Sequence, residues 1–431
     1  MGVNQHIQQK LPPPLKNMKR MKILVAASRI YEILLAFLLL KISSDLLSPE
    51  EYGKLGLLTT ITQGIAWFFL APLQNFILVN TINANDNGWL KKIIKFEILY
   101  SIFISYFCYS ILVYFEIIPN VILNNTISLI VFIISVSCPV IIQTLLPILN
   151  IKKIHNVFLR ISILSSSLGF LLPIIFVKYY EHTYLYWLLG VNLAPAIVII
   201  LIILWGYKHS HFNCITNNPI PSKKLMLFCV PLAGAIIFQW FNLQGYRLQL
   251  ENYFSIYTIG IFIMGFTFCG RFFNAIEKIL TTVLMPSIYN RETGVTINDA
   301  WLKYLKTSFI VYTLFFLFFM ISSEYIFNEI ISDQYNESIE FIKIGLIYDY
   351  SRCMLNAIYQ HNLLTERNKI QLVFNFLISI FIFVSIFITI RYNLSINFFA
   401  YTMSISTLTI GFFAFIKNLS YKDKLASLNH H

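Results

Sequence analysis

Apolar residues run along this chain in blocks of about 20, the length that crosses a hydrocarbon core of about 30 Å, separated by short polar breaks. The pattern predicts helices over 23–47, 55–79, 93–118, 126–149, 156–178 and 184–207. A second set of six follows over 225–250, 256–285, 304–327, 339–363, 370–391 and 395–417. The fold class that follows is an all-α polytopic membrane protein of about twelve spans. Its natural division is at the 208–224 link, which carries Pro219, Pro221, Lys223 and Lys224. Residues 1–20 read as a basic, disordered cytoplasmic arm, 21–207 as a first six-helix lobe, 225–417 as a second, and 418–431 as a cytoplasmic tail. Six is even, so both lobes enter from the same side and any repeat is parallel, about an axis along the membrane normal. A weak echo exists between Tyr52-Gly53-Lys54-Leu55-Gly56 with Pro72 and Ile259-Gly260-Ile261-Phe262 with Pro286.

Composition agrees: 57% of the 431 residues are hydrophobic and 12% charged, a balance outside the soluble range. The formal charge of +12 does not point to nucleic acid, because the basic residues cluster in loops. With the N-terminus inside, twenty-two of the 32 Lys and Arg fall in inner segments and four, Lys41, Lys54, Lys178 and Arg391, in outer ones. The positive-inside rule therefore places both termini in the cytoplasm. The six cysteines show no metal-ligand spacing. Trp89, Trp187, Trp205 and Trp301 sit near predicted helix ends and read as interfacial anchors.

Six cations remain inside predicted helices: Arg29, Arg247, Arg271, Lys278, Lys343 and Arg352. Each costs about 2.5–3.5 kcal/mol at mid-bilayer on the insertion scale, so protein or water must surround them. Spacing offers local partners: Arg29 with Glu32, Arg247 with Glu251, and Asp349 with Arg352 share helix faces. Two readings are open. The pairs neutralise charge for insertion, with Arg247, Lys278 and Lys343 snorkelling at helix ends as supporting charges. Alternatively Arg29, Arg271 and Arg352 converge on a cationic cavity that holds a diphosphate, to which a planar guanidinium fork is suited. Arg271 has no carboxylate three or four residues away. Amides at depth, including Gln74, Asn75, Gln239, Asn242 and Asn356, serve either as interhelical hydrogen-bond partners or as contacts for sugar hydroxyls. Prolines at 72, 139, 147, 173, 195 and 231 predict kinked helices. No Walker loop, H-E-x-x-H, G-x-S-x-G or large soluble loop is present, which excludes ATP-driven transport and argues against an enzyme.

The run Leu47-Ser48-Pro49-Glu50-Glu51-Tyr52-Gly53-Lys54-Leu55-Gly56 resembles the signature after the first helix of polysaccharide exporters. The stretch from Pro231 through Arg247 and Gly260 to Pro286-Ser287-Ile288-Tyr289 resembles their seventh and eighth helices, and Gln360–Lys369 adds a likeness to O-antigen unit flippases. These belong to the multidrug/oligosaccharidyl-lipid/polysaccharide (MOP) superfamily. The resemblance implies a V-shaped pair of six-helix lobes that moves an oligosaccharide on undecaprenyl diphosphate between leaflets of a bacterial inner membrane. Its partners would be that lipid-linked substrate, membrane lipids and other polysaccharide assembly proteins. No cofactor is implied, and a proton or sodium gradient would be sensed by Glu32 or Asp349. Many relatives have Asp-Arg where this chain has Tyr246-Arg247, so only the arginine carries over. A cation-coupled multidrug exporter and an O-antigen polymerase are the alternatives. The first should favour acidic cavity residues, and the second usually carries a large periplasmic loop.

Overall fold

The computed structural model describes residues 15–115, 126–152, 154–208, 219–289, 297–364 and 368–428. The arm up to residue 14, most of the 208–224 link, Arg291 and Arg367 lie outside the described residues, as does the side chain of Arg29. Among the described residues there is no strand, and the chain forms twelve long helices. The first six are α1 (Leu15–Leu46), α2 (Pro49–Val79), α3 (Leu90–Tyr114), α4 (Thr126–Ile151), α5 (His155–Tyr179) and α6 (Tyr184–Lys208). Then come α7 (Ser222–Gly245, continued by Arg247–Leu250), α8 (Ile256–Tyr289), α9 (Ile297–Ile330), α10 (Ile339–Leu364), α11 (Asn368–Arg391) and α12 (Ile396–Leu428). Ten of these are long and apolar enough to cross a membrane. The other two are α1 and α10, the most polar of the set. In α10 the charges Glu340, Lys343, Asp349 and Arg352 lower the hydropathy, and Asp349 is buried in protein. Helix α1 begins at Leu15 and α12 runs to Leu428, so residues read as arm and tail extend helices instead.

Local chemistry sets the helix ends. Ser48 caps α2 by accepting from the Glu51 N–H at 3.3 Å, Pro49 occupies the first turn, and Glu50 and Glu51 complement the helix dipole. A short helix, Thr81–Asp86, follows α2, and Gly88 turns the chain into α3 with φ 78°, a conformation glycine adopts without a Cβ clash. Two helices contain π-turns, Ala66–Leu70 in α2 just before Pro72 and Phe241–Gly245 in α7. Each inserts an extra residue, which rotates everything downstream by about 100°.

In the first lobe α5 packs on α6, α6 on α4, and α4 on α3; in the second, α10 packs on α8, α9 and α12, and α11 on α7 and α12. The lobes meet through a reciprocal exchange. The first helix of each lobe leans on the second helix of the other. Thus α1 meets α8 through Phe37 against Phe272, with ring centroids 4.3 Å apart. Helix α7 meets α2 through Trp240 Nε1 donating to the Thr60 carbonyl at 3.0 Å and Gln244 Nε2 donating to Gln63 Oε1 at 2.6 Å. The second helices also cross each other. A Cβ on Gly53 would strike the Ile256 carbonyl and one on Gly260 the Pro49 carbonyl, while Gly56 sits against Ile263. The two glycine-bearing segments that echo each other in sequence are therefore the two sides of one crossing.

Beyond that crossing α2 and α8 part. Gln63, Trp67 and Gln74 of α2 and Phe266, Gly270 and Arg271 of α8 face a shared space instead of each other. The bundle is thus closed at the Pro49 end and splayed toward the Asn80 end. Closure is reinforced by Tyr335 Oη donating to the Leu47 carbonyl at 2.8 Å, Gln334 donating to the carbonyls of Ser44 and Leu47, and Tyr52 edge-on to Tyr335 at 5.8 Å. Glu51 accepts from the Tyr184 N–H at 2.9 Å and ties α2 to α6.

Trp89, Trp187 and Trp301, expected as interfacial anchors, are buried instead, and Trp301 Nε1 donates to the Ala357 carbonyl at 3.1 Å. Trp187 and Trp301 belong to the largest core cluster and Trp89 to one in the first lobe.

Gly260→Leu should lower the stability of the purified protein by about 1–3 kcal/mol, because the added side chain has only backbone to displace. Gly169→Leu is the control, since a Cβ there meets only Ala194 at 3.9 Å. Thermal unfolding in detergent compares the two, and equal melting temperatures would contradict a close-packed crossing.

Candidate functional site

The space between the lobes is a cavity of 910 Å³ with contributions from α1, α2, α4, α6, α7, α8 and α10. That lies at the upper end of the ~300–1,000 Å³ typical of small-ligand sites. Among the described residues three arginines line it, Arg247, Arg271 and Arg352, against one carboxylate, Asp349. Gln63, Gln74, Asn75, Gln143, Gln239 and Asn192 supply amides, and Trp67 and Trp187 supply aromatic surface.

The three arginines are held differently. On α10, Arg352 is fully committed to neighbours: Nε donates to Asp349 Oδ1 at 2.9 Å, Nη1 to Glu277 Oε2 at 3.3 Å, and Nη2 to Asn274 Oδ1 at 2.6 Å. Asn356 Nδ2 donates to the other oxygen of Glu277 at 2.9 Å. This network braces α10 against α8, and its fork is occupied by protein. Arg271, one turn before Asn274 on α8, is exposed to the cavity and has no carboxylate partner among the described residues. Arg247 is half-buried, its Nε shielded and without a hydrogen-bond partner, and it lies within electrostatic reach of Asp349 and Tyr52.

Several expectations from sequence are corrected. Arg247 does not snorkel and does not pair with Glu251. The π-turn at Phe241–Gly245 turns it into the cavity, while Glu251 lies beyond the helix end and makes no ion pair among the described residues. The Asp349–Arg352 pair forms as spaced. Glu32 meets Lys278 across the α1–α8 contact at 2.5 Å and accepts from Ser162 of α5 at 2.6 Å, while the expected Arg29–Glu32 pair falls on a side chain outside the described residues. Lys278 is thereby a lobe-to-lobe contact outside the cavity lining, and Lys343 faces outward, 2.7 Å from Glu324. Among the amides Gln74, Asn75 and Gln239 line the cavity, but Asn242 does not. Its side chain is buried, donating to the Asn375 carbonyl at 2.9 Å and accepting from Ser379 at 2.7 Å. Asn356 is held by Glu277. Sequence reasoning passed over Glu277 and Asn274. Asn274 and Glu277 follow Arg271 on α8 at i+3 and i+6, and that recurrence of polar residues is the signal of a polar stripe along the helix.

If Arg352 is a brace and Arg271 is not, their removal should differ. Arg352→Ala leaves Asp349 and Glu277 without their cation and should cost roughly 2–3 kcal/mol, at the low side of a buried pair because cavity water reaches it. Arg271→Ala should stay within about 0.5 kcal/mol of the parent. Chemical or thermal unfolding in detergent reads both; the reverse order would invert the assignment.

A family model described as "Polysaccharide biosynthesis protein" matches residues 44–340. The chain is 23% identical over 388 residues to the capsular polysaccharide biosynthesis protein CapF of Staphylococcus aureus, covering 83% of this chain and 90% of that one. Among solved structures it is similar to an inward-facing multidrug resistance MATE family transporter of the MOP superfamily. The TM-score is 0.64 at 13% identity, over 93% of this chain and 99% of that one. It is also similar to a MOP superfamily transporter from Pyrococcus furiosus, described as having a binding pocket of reverse polarity. There the TM-score is 0.59 at 12% identity, over 95% and 96% of the two chains.

Proposed function

Because this chain belongs to the polysaccharide biosynthesis protein family and has the fold of MOP superfamily transporters, we propose that it is a flippase for an oligosaccharide carried on undecaprenyl diphosphate, taking an O-antigen unit from the cytoplasmic to the periplasmic leaflet of a bacterial inner membrane. The observation that carries the reading is Arg271, a cation in a closed-ended cavity between lobes with no carboxylate paired to it among the described residues. An anionic headgroup supplies the missing charge. Arg247 stands beside it as the second donor, and together they offer two guanidinium forks to a diphosphate. The amides of α2 and α7 and the faces of Trp67 and Trp187 suit sugar hydroxyls and sugar rings, while the lipid tail stays in the bilayer between the lobes.

Alternating access follows from the same geometry. The cavity is closed at the Pro49 end by the glycine crossing and the Tyr335 contacts, and α2 and α8 diverge toward the Asn80 end. With the termini on the cytoplasmic side, as the distribution of Lys and Arg directs, this is the conformation that receives substrate from the cytoplasmic leaflet. The glycine crossing then has to open while the α1–α8 and α2–α7 contacts hold the lobes together. A multidrug exporter of cationic compounds is disfavoured by three lining arginines against one carboxylate.

Arg271→Ala and Arg247→Ala should each reduce surface polysaccharide by about 10–100-fold in a flippase-null strain carrying the matching sugar cluster, the loss of one charge-assisted contact of about 1.5–3 kcal/mol. Membrane levels of the protein should be unchanged, and Lys343→Ala should behave as the parent. Full polysaccharide from the Arg247/Arg271 double variant would sink the diphosphate assignment.

A further inference from the structure

One buried carboxyl group lies outside the cavity lining. Glu97, on α3 inside the first lobe, is fully buried. One carboxyl oxygen accepts from Thr144 Oγ1 of α4 at 2.5 Å, and the other, Oε2, is buried without any partner. The other acidic residues that sequence singled out for ion coupling are already neutralised, Glu32 by Lys278 and Asp349 by Arg352. Among the described residues no ion pair involves Glu97.

The elements around it confirm that isolation. Lys91, Lys92 and Lys95 of its own helix are exposed on the surface. On α4, Lys152 donates to Asn85 at the far end of that helix, and Lys224 of α7 donates to Asn80. The wall around this part of α3 is apolar, with Leu73, Phe76 and Ile77 of α2 and Ile141 and Leu145 of α4. The titratable groups packed on it are Tyr100 of α3, Cys138 of α4 and Cys229 of α7, and these are neutral at physiological pH. A carboxylate buried without a cation is far costlier than a carboxylic acid in the same place, so the acid form belongs here.

The location connects this acid to the cavity. Pro139, Val140 and Gln143 of α4 line the cavity, and Thr144, the next residue around the helix, holds Glu97 on the adjoining side. Pro139 and Pro147 flank that turn, and each removes the backbone donor to the carbonyl four residues before it. Helix α4 is therefore weakest where one face meets the cavity contents and the adjoining face meets Glu97. Along α3, Glu97, Ser101, Ser105 and Tyr109 recur every fourth residue, and Ser105 and Tyr109 bond to Ser137 and Ser128 of α4 at 2.9 and 3.1 Å. This hydroxyl stripe runs from Glu97 toward the Tyr114 end.

We propose that Glu97 is the proton-binding site that couples transport to a proton gradient: its carboxyl is protonated while the cavity is splayed at the Asn80 end, and bending of α4 at its prolines withdraws Thr144, admits water and releases the proton to it. This rests on the transporter reading above and replaces Glu32 and Asp349 as coupling residues.

Infrared spectroscopy of the full chain in lipid nanodiscs tests the protonation directly. The parent at neutral pH should show the carbonyl stretch of a protonated, desolvated carboxyl; Glu97→Gln should lack it, and Thr144→Val should shift it by removing its hydrogen bond. Identical parent and Glu97→Gln spectra would overturn the proposal. Coupling is read in proteoliposomes with a trapped pH dye, doped with lipid extract from a strain accumulating the lipid-linked sugar. Proton movement accompanying flipping should fall roughly tenfold or more in Glu97→Gln, with Glu97→Asp recovering part of it and both variants unfolding at the parent's temperature. If the parent flips the lipid without moving protons, or Glu97→Gln moves them at the parent's rate, the Glu97 proposal fails alone. If the parent flips no lipid-linked sugar while its infrared band is present, it is the flippase reading that fails.

Discussion

The approach of two peptide backbones at Gly53 and Gly260 governs the rest of the architecture. Helices α2 and α8 begin at the same end and cross within their first turns. There a carbonyl of each lies where a side chain of the other would have to be. Contact this close is available only without a Cβ. Because the helices touch at one end, the bulk of Leu, Trp and Phe side chains further along forces them apart, and the cavity is the angle they leave. The Leu47–Gly56 signature thus has a mechanical content. Ser48 and Pro49 start the helix, Glu51 anchors it to α6, Tyr52 packs on Tyr335, and Gly53 and Gly56 make the crossing.

A second constraint, the cost of charge in a low-dielectric interior, sorts the buried ionic groups by what surrounds them. Some are consumed by protein. Arg352 satisfies Asp349, Glu277 and Asn274 and so fixes α10 to α8, and Glu32 with Lys278 and Ser162 fixes α1 between the lobes. Others have no partner of opposite charge among the described residues, Arg271 toward the cavity and Glu97 outside its lining. Structural pairs need nothing further from the environment. The unpaired groups need either water, a ligand or a change in protonation, which is why they are the ones on which a transport cycle can act.

Much of the fold was legible in sequence because the membrane imposes a one-dimensional rule: apolar blocks of spanning length must be helices, and their number and spacing are visible without knowing what packs on what. The all-helical character and the i,i+3 pair of Asp349 with Arg352 were available from local pattern, and the MOP-like fold from the resemblance carried by the Leu47–Gly56 run. What tertiary structure decided were the facts that depend on rotation about a helix axis and on distant partners. A single π-turn at Phe241–Gly245 turned Arg247 from an assumed helix-end charge into a cavity residue, and no spacing rule anticipates an extra residue in a turn. Glu32 meets Lys278, 246 residues away, a partner that no spacing along one helix points to. Asn242, equivalent in composition to Gln239 three residues earlier, was spent on α11. Glu97 was overlooked because its isolation is a property of the apolar helices packed around it, and periodicity along one helix carries no record of what faces it.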